Sequence, residues 1–142
     1  MTVIHLYWLS TIGLSLLYLS SALLYLARRD FVLEAQRKLG YCAAHLVPFM
    51  IVVKILGPVA ILTRLNIGLS DLAYAGMLYH LVLSGLAHLN VRQAKSAIPA
   101  LIGLILLSAS FTTQNAARSS PSPYNLDTFL SYPSAVEINK HE

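Results

Sequence analysis

Long apolar segments alternate with short polar connections along the chain. The apolar segments lie at about 3–27, 43–63, 69–89 and 97–111, and the fourth can extend at either end. An α-helix needs about 20 mostly apolar residues to cross the hydrocarbon core of a bilayer. The pattern therefore predicts an all-α fold, a bundle of four antiparallel transmembrane helices. The first segment lacks the basic start and cleavage site of a signal peptide, so we expect it to be retained.

The connection at 28–40 (RRDFVLEAQRKLG) has a pattern of its own. Phe31, Ala35 and Leu39 recur at helical spacing among charged residues, and Gly40 follows as a helix-ending residue. A helix with one apolar and one charged face lies in the plane of the membrane surface. We therefore predict a short amphipathic interfacial helix between transmembrane helices 1 and 2.

The composition changes after the fourth apolar segment. Residues 113–142 are rich in Ser, Asn and Pro, and such a segment buries too little apolar surface to fold by itself. We predict a membrane domain over residues 1–112 and a polar, mostly disordered tail over 113–142. Tyr124, Phe129 and Tyr132 leave open the alternative that the tail docks onto the bundle.

Composition and charge identify the environment of the chain. It is 56% hydrophobic and 11% charged, whereas soluble domains carry about 25% charged residues. The net charge of +4 comes without a basic stripe, so we expect a lipid bilayer and no nucleic acid as partner. The single Cys42 excludes a disulfide within one chain.

The distribution of Lys and Arg predicts the orientation. Six of these residues lie in the first and third connections, against Arg64, Arg118 and the distant Lys140 on the other side. Because Lys and Arg are enriched in cytoplasmic loops, both termini are predicted to be non-cytoplasmic.

Lys54 interrupts the second apolar segment and has no acidic residue near it in sequence. A lysine at a helix centre costs roughly 2.5–3.5 kcal/mol, which the surrounding apolar residues outweigh. If the second and third helices form a hairpin, Lys54 lies ~14 Å before the turn and His80 ~15 Å after it. The two side chains are therefore predicted to meet at the same depth.

Such a pair offers a proton donor and a proton acceptor inside the bilayer. Two arrangements are open: a charged Lys54 that donates to a neutral imidazole, and a Lys54 that burial leaves uncharged. A third interpretation is that Lys54 only fixes helix packing or extends to the interface. Lys54 and His80 are the candidate catalytic residues. The candidate ligand-binding residues are Tyr18, Tyr25, Tyr74, Tyr79 and His88.

The histidines do not predict a metal site. His80 and His88 are ~12 Å apart along a helix and about 80° apart around it, so they cannot share one ion. His45 and His88 lie at the membrane edge without a carboxylate or cysteine to complete a site, so an interfacial role is favoured. We expect no metal and no nucleotide, and we keep a quinone open as a cofactor.

Several short motifs occur in an order and spacing that resemble the DoxX-like family of small four-helix membrane proteins. They are 39–41 (LGY), 53–57 (VKILG), 60–62 (AIL), 72–76 (LAYAG), 87–89 (AHL) and 106–111 (LLSASF). The resemblance covers residues from about 10 to 112 and implies a four-helix membrane bundle. This broad group includes a subunit associated with thiosulfate:quinone oxidoreduction, and it is distantly similar to eukaryotic receptor-assembly chaperones.

The resemblance extends to the matching positions Lys54, Gly57, Tyr74, Gly76 and His88. It departs at position 80, where many relatives carry an acidic residue that would pair with the lysine. A redox or ion-pair function shared with those relatives is therefore in doubt for this chain.

Three functions fit these features. The first is a pocket within the bundle for a lipophilic small molecule such as a quinone or isoprenoid, with a place in a membrane redox system as one option. The second is a membrane isomerase or cyclase that uses Lys54 and His80 as an acid–base pair. The third is an assembly factor that contacts another membrane protein or a second copy of itself through small-residue helix faces.

Overall fold

Five α-helices dominate the computed structural model, which describes residues 2–43, 45–119 and 121–126. In chain order they are α1 (Val3–Ala27), α2 (Arg29–Lys38), α3 (Leu46–Thr63), α4 (Ile67–Asn90) and α5 (Ile98–Thr113). Short 3-10 turns at Ala94–Ala97 and Gln114–Ala117 extend α5 at both ends. These described ranges contain no strand, and the predicted all-α fold is confirmed.

Four helical stretches have the length and composition to cross a membrane. They are α1, α3, α4 and the continuous stretch Ala94–Ala117 around α5. The fourth span is thus longer than its apolar core predicts, because the flanking 3-10 turns add residues at both ends. The four predicted spans are confirmed.

The spans form a ring around a shared core. α1 packs against α3 and α5, and α4 packs against the same two helices, so α1 and α4 lie diagonally opposite. Side chains from all four spans fill the centre, among them Leu14, Ile61, Met77 and Leu107. This order places each chain segment next to its antiparallel neighbour, as short connections require.

Two glycines allow helices to approach closely. A Cβ at Gly57 in α3 would lie 2.7 Å from Cε of Met77, and one at Gly103 in α5 would lie 2.6 Å from Cδ2 of Leu81. Van der Waals packing drives helix association in lipid, so small residues at these contacts matter. The α3–α4 contact therefore depends on glycine at position 57, and the α4–α5 contact on glycine at position 103.

α2 is amphipathic, and one of its sides packs toward the bundle. Val32 and Gln36 face the bundle, whereas Phe31 is 61% exposed. On the charged face, Lys38 lies 2.9 Å from Glu34. This hydrogen bond and the positive charge of Lys38 lower the pKa of the exposed Glu34 carboxyl. The helix stops at Gly40, whose φ of 87° suits a glycine.

The connection from α2 to α3 has two exposed side chains. It carries Tyr41 and the exposed thiol of Cys42. The turn between α3 and α4 is tighter: Arg64 ends α3 with a left-handed φ of 54°, and the Asn66 side chain caps α4 by accepting from the Leu69 N–H.

The first part of the predicted tail is held against the end of the bundle. Asn125 is buried, and its Nδ2 donates to the carbonyls of Phe111 and Thr112, each at 3.2 Å. Tyr124 is 73% exposed, so a polar side chain and not an aromatic one holds this segment. Phe129 and Tyr132 lie outside the described residues.

Candidate functional site

Lys54 is buried in the bundle between α3 and α1. Its side chain is 5% exposed, and its Nζ lies 5.4 Å from the ring centre of Tyr18 and 5.0 Å from that of Tyr25. The face of an aromatic ring attracts a cation, and more strongly where water is excluded. The nearest polar environment of the ammonium is therefore supplied by two tyrosines of α1.

His80 contacts one of these tyrosines. The Tyr18 hydroxyl lies 3.1 Å from Nδ1 of His80 and 3.2 Å from the carbonyl of Met77, both on α4. The two rings are 5.6 Å apart. Tyr18 thus reaches across the bundle and contacts both Lys54 and His80, and no hydrogen bond joins those two residues directly.

The hydrogen bonds of Tyr18 constrain the imidazole. A phenol has a single proton to donate. When it donates that proton to the Met77 carbonyl, Nδ1 of His80 must carry a proton and donate to the Tyr18 oxygen. Nε2 of His80 is then left as an acceptor. When Tyr18 donates to Nδ1 instead, Nε2 carries the proton.

A cavity of about 230 Å³ opens beside this group. α1, α2, α3, α4 and the α2–α3 connection all contribute to its wall. Its polar lining residues are Tyr25, Gln36, Tyr41, His80 and Ser84, and the remainder of the wall is apolar. Because Tyr25 also lies under the Lys54 ammonium, the cavity and the buried charge share a wall.

The other candidate binding residues lie elsewhere. Tyr79 is 70% exposed on the outside of the bundle. Tyr74 is buried nearer the α3–α4 turn, where its hydroxyl lies 2.7 Å from Oγ of Ser110, which is itself 2.6 Å from Oγ1 of Thr11. His88 is partly buried with its Nδ1 unpartnered, and it does not line the cavity.

Sequence reasoning did not identify three polar residues of the cavity wall. Gln36 carries a signal that could have been used, since it follows the buried Val32 by one helical turn on α2. Ser84 likewise follows His80 by four residues on α4. Residues four apart share a helix face, so helical periodicity could have predicted both positions. Tyr41 belongs to a connection without periodicity and offered no such signal.

The charges around the site are unbalanced. In the described part of the chain the one ion pair is Lys38–Glu34, and no carboxylate lies against Lys54. Nor do three His, Cys, Asp or Glu side chains of the described residues come together as a metal site. A buried cation without a counter-ion favours a ligand oxygen that can accept its hydrogen bonds.

The sequence pattern of the DoxX-like family matches residues 9–110 of the chain. The match includes Tyr18, Lys54 and His80. Comparisons with curated proteins and with solved structures gave no match.

Proposed function

The chain belongs to the DoxX-like family and is a multi-pass integral membrane protein, and from this premise we propose that its bundle binds the polar head of a lipophilic molecule beside Lys54. The observation that carries the proposal is a lysine that is 5% exposed, lacks a carboxylate partner among the described residues and contacts Tyr25, which also lines a mostly apolar cavity with a few polar groups.

The chemistry of the wall favours a ligand with carbonyl or hydroxyl oxygens. Gln36, Ser84 and Tyr25 supply hydrogen-bond donors at the cavity, and the ammonium of Lys54 lies 5.0 Å from the ring centre of Tyr25. An oxygen placed among these donors gains hydrogen bonds that the bilayer interior cannot offer. A quinone ring or the oxygen-bearing head of an isoprenoid has such oxygens.

The size of the cavity supports a head group over a whole long-chain molecule. Sites for drug-sized ligands occupy about 300–1,000 Å³. A cavity of about 230 Å³ accommodates one ring, while an attached hydrocarbon tail lies along the helices in the bilayer. A place for the protein as a small subunit of a membrane redox system would follow if the bound head were a quinone.

The Tyr18–His80 hydrogen bond favours a second candidate function, an isomerase or cyclase acting on a lipophilic substrate. His80 would accept or supply a proton at Nε2, and Tyr18 would hold its ring in position. Lys54 would stabilise negative charge that develops on a substrate oxygen. Turnover of a lipophilic substrate that is lost in His80→Ala, with the fold and ligand binding retained, would separate catalysis from binding.

Filling the cavity tests the binding proposal. Ser84→Leu places an apolar side chain in the cavity wall without altering Lys54 or His80. We expect the affinity of the purified protein for a short-chain benzoquinone to fall by tenfold or more, measured by equilibrium dialysis in detergent, because loss of hydrogen bonding and space costs about 1.5 kcal/mol or more.

The matched control is Ser108→Leu. Ser108 is exposed on α5 and donates to the carbonyl of Leu104 in its own helix. This variant should bind the quinone as the unaltered chain does. Equal affinity in the Ser84→Leu protein would contradict the cavity as the binding site.

A further inference from the structure

We propose that the end of the bundle opposite the Lys54 cavity binds a phosphate-class oxyanion between Arg64 and Arg118. Three parts of the chain meet there: the start of α1, the α3–α4 turn and the segment that follows α5. This cluster is separate from the cavity, and the inference does not depend on the proposed function.

Arg64 is held in place from two sides. Its guanidinium carbon lies 5.6 Å from the ring centre of Tyr7 and 5.8 Å from that of Trp8, both on α1. One Nη donates to the carbonyl of Ala117. Its Nε is buried and has no hydrogen-bond partner in the described part of the chain. Because Ala117 precedes Arg118 in the chain, this contact places the backbone of Arg118 next to the Arg64 side chain.

Arg118 has more unpartnered donors. Its Nε and one Nη are buried and have no hydrogen-bond partner among the residues that the structure describes. Tyr7, whose ring centre lies 5.6 Å from the Arg64 guanidinium carbon, belongs to the same end of the bundle. Tyr7 is fully buried, and its hydroxyl also lacks a hydrogen-bond partner among the described residues. Buried donors without partners are uncommon in folded proteins, which points to a ligand that accepts from them.

The charge of the cluster is positive even with its carboxylate included. Asp71 accepts from Nε2 of Gln114 at 3.3 Å and from the Ser122 hydroxyl at 2.7 Å. No ion pair joins Asp71 to Arg64 or to Arg118 within the described ranges. One carboxylate against two guanidinium groups leaves one unit of positive charge, the sign that an oxyanion requires.

Gln114 narrows the class of ligand. It is fully buried, and its amide nitrogen donates to Asp71, but its Oε1 has no hydrogen-bond partner within the described ranges. This acceptor needs a donor, which a hydroxyl on the ligand would supply. A phosphate that carries a hydroxyl, either on phosphorus or on an attached alcohol, meets the guanidinium donors and this acceptor together.

A phospholipid head group and free phosphate both have this chemistry, and both can reach the end of the bundle. The end of a transmembrane bundle lies at the level of lipid head groups and also borders the aqueous phase. The test therefore uses two probes on the full chain in uncharged detergent. One is inorganic phosphate at constant ionic strength, and the other is short-chain phosphatidylglycerol.

Binding is measured by titration calorimetry and by the shift of the thermal unfolding midpoint. Arg118→Gln should weaken the binding of whichever probe the unaltered chain binds by about tenfold or more, because a charge-assisted, two-pronged contact is lost. Arg118→Lys should bind with an affinity between those of the unaltered chain and of Arg118→Gln, since it keeps the positive charge but loses the two-pronged guanidinium contact. Arg92→Gln, on an exposed residue of the α4–α5 connection, is the matched control and should bind normally.

Tyr7→Phe provides a second route if Arg118→Gln does not fold. It removes one unpartnered hydroxyl and should weaken binding several-fold without loss of the fold. Binding of phosphatidylglycerol alone identifies a lipid head group, and binding of both probes identifies a site open to free phosphate. Failure of both probes to bind, or undiminished binding by both Arg118→Gln and Tyr7→Phe, overturns the proposal.

Discussion

Replacing Lys54 with methionine is expected to make α3 enter a bilayer more readily and to abolish ligand binding. A lysine at the centre of a transmembrane helix costs roughly 2.5–3.5 kcal/mol, and a methionine of similar length carries no such cost. The ammonium also lies 5.0 Å from the ring centre of Tyr25, which forms part of the cavity wall. Insertion and binding should therefore change in opposite directions in the same variant.

Two measurements check this result. Glycosylation reporters flanking the α3 segment give its insertion free energy, which should become more favourable by about 3 kcal/mol. Equilibrium dialysis with a short-chain benzoquinone gives the binding loss. Lys95→Met is the control, because Lys95 is exposed in the turn before α5. A Lys54→Met protein that still binds the quinone would reduce Lys54 to a packing residue.

Replacing Gly103 with leucine is expected to break the contact between α4 and α5. Even a Cβ at this position would lie 2.6 Å from Cδ2 and 3.1 Å from Cδ1 of Leu81, which is itself buried. Forcing extra atoms into a packed core costs about 1–3 kcal/mol, and we expect a loss at the upper end. Unfolding of the purified protein in a denaturing detergent, followed by circular dichroism, measures it.

The matched control is Gly76→Leu in α4. A Cβ at Gly76 would meet nothing within 4 Å, so this variant should keep its stability or gain slightly from higher helix propensity. Combining Gly103→Leu with Leu81→Ala should recover part of the loss, because the two residues compete for one space. Equal effects of leucine at positions 76 and 103 would argue against the described α4–α5 contact.

Local patterns were enough to predict the spans and several helix ends. The length of the apolar segments is a property of neighbouring residues, and so is the stop at Gly40, where the backbone needs a positive φ. The start of α4 was predicted less well. Asn66 caps the helix from within a polar connection, three residues before the apolar segment begins.

The sequence predicts the depth of Lys54 and His80 along the bundle, but not the direction in which their side chains point. Counting residues from the α3–α4 turn places Lys54 and His80 at one level, yet the count does not say which helix lies opposite each side chain. The structure brings Tyr18 of α1 to both residues. The same limit applies to Tyr79, which is one residue before His80 and faces outward because adjacent residues differ by about 100° around a helix.

Composition also described the segment after α5 incompletely. A shortage of apolar residues argues against a packed core, but a segment can be held by hydrogen bonds to a helix end. The last carbonyls of a helix have no partner within it, and Asn125 supplies donors to two of them. Such a contact joins residues more than ten apart and leaves no periodic trace in the sequence.

The exposed thiol of Cys42 gives the chain a built-in chemical reporter. It is the single cysteine, and it neighbours Tyr41 at the rim of the cavity. A maleimide that cannot cross membranes reaches it from one face of a sealed vesicle only, so labelling reveals how the protein is oriented without any engineered residue. Slower labelling in the presence of a bound molecule would also report that the rim of the cavity is occupied.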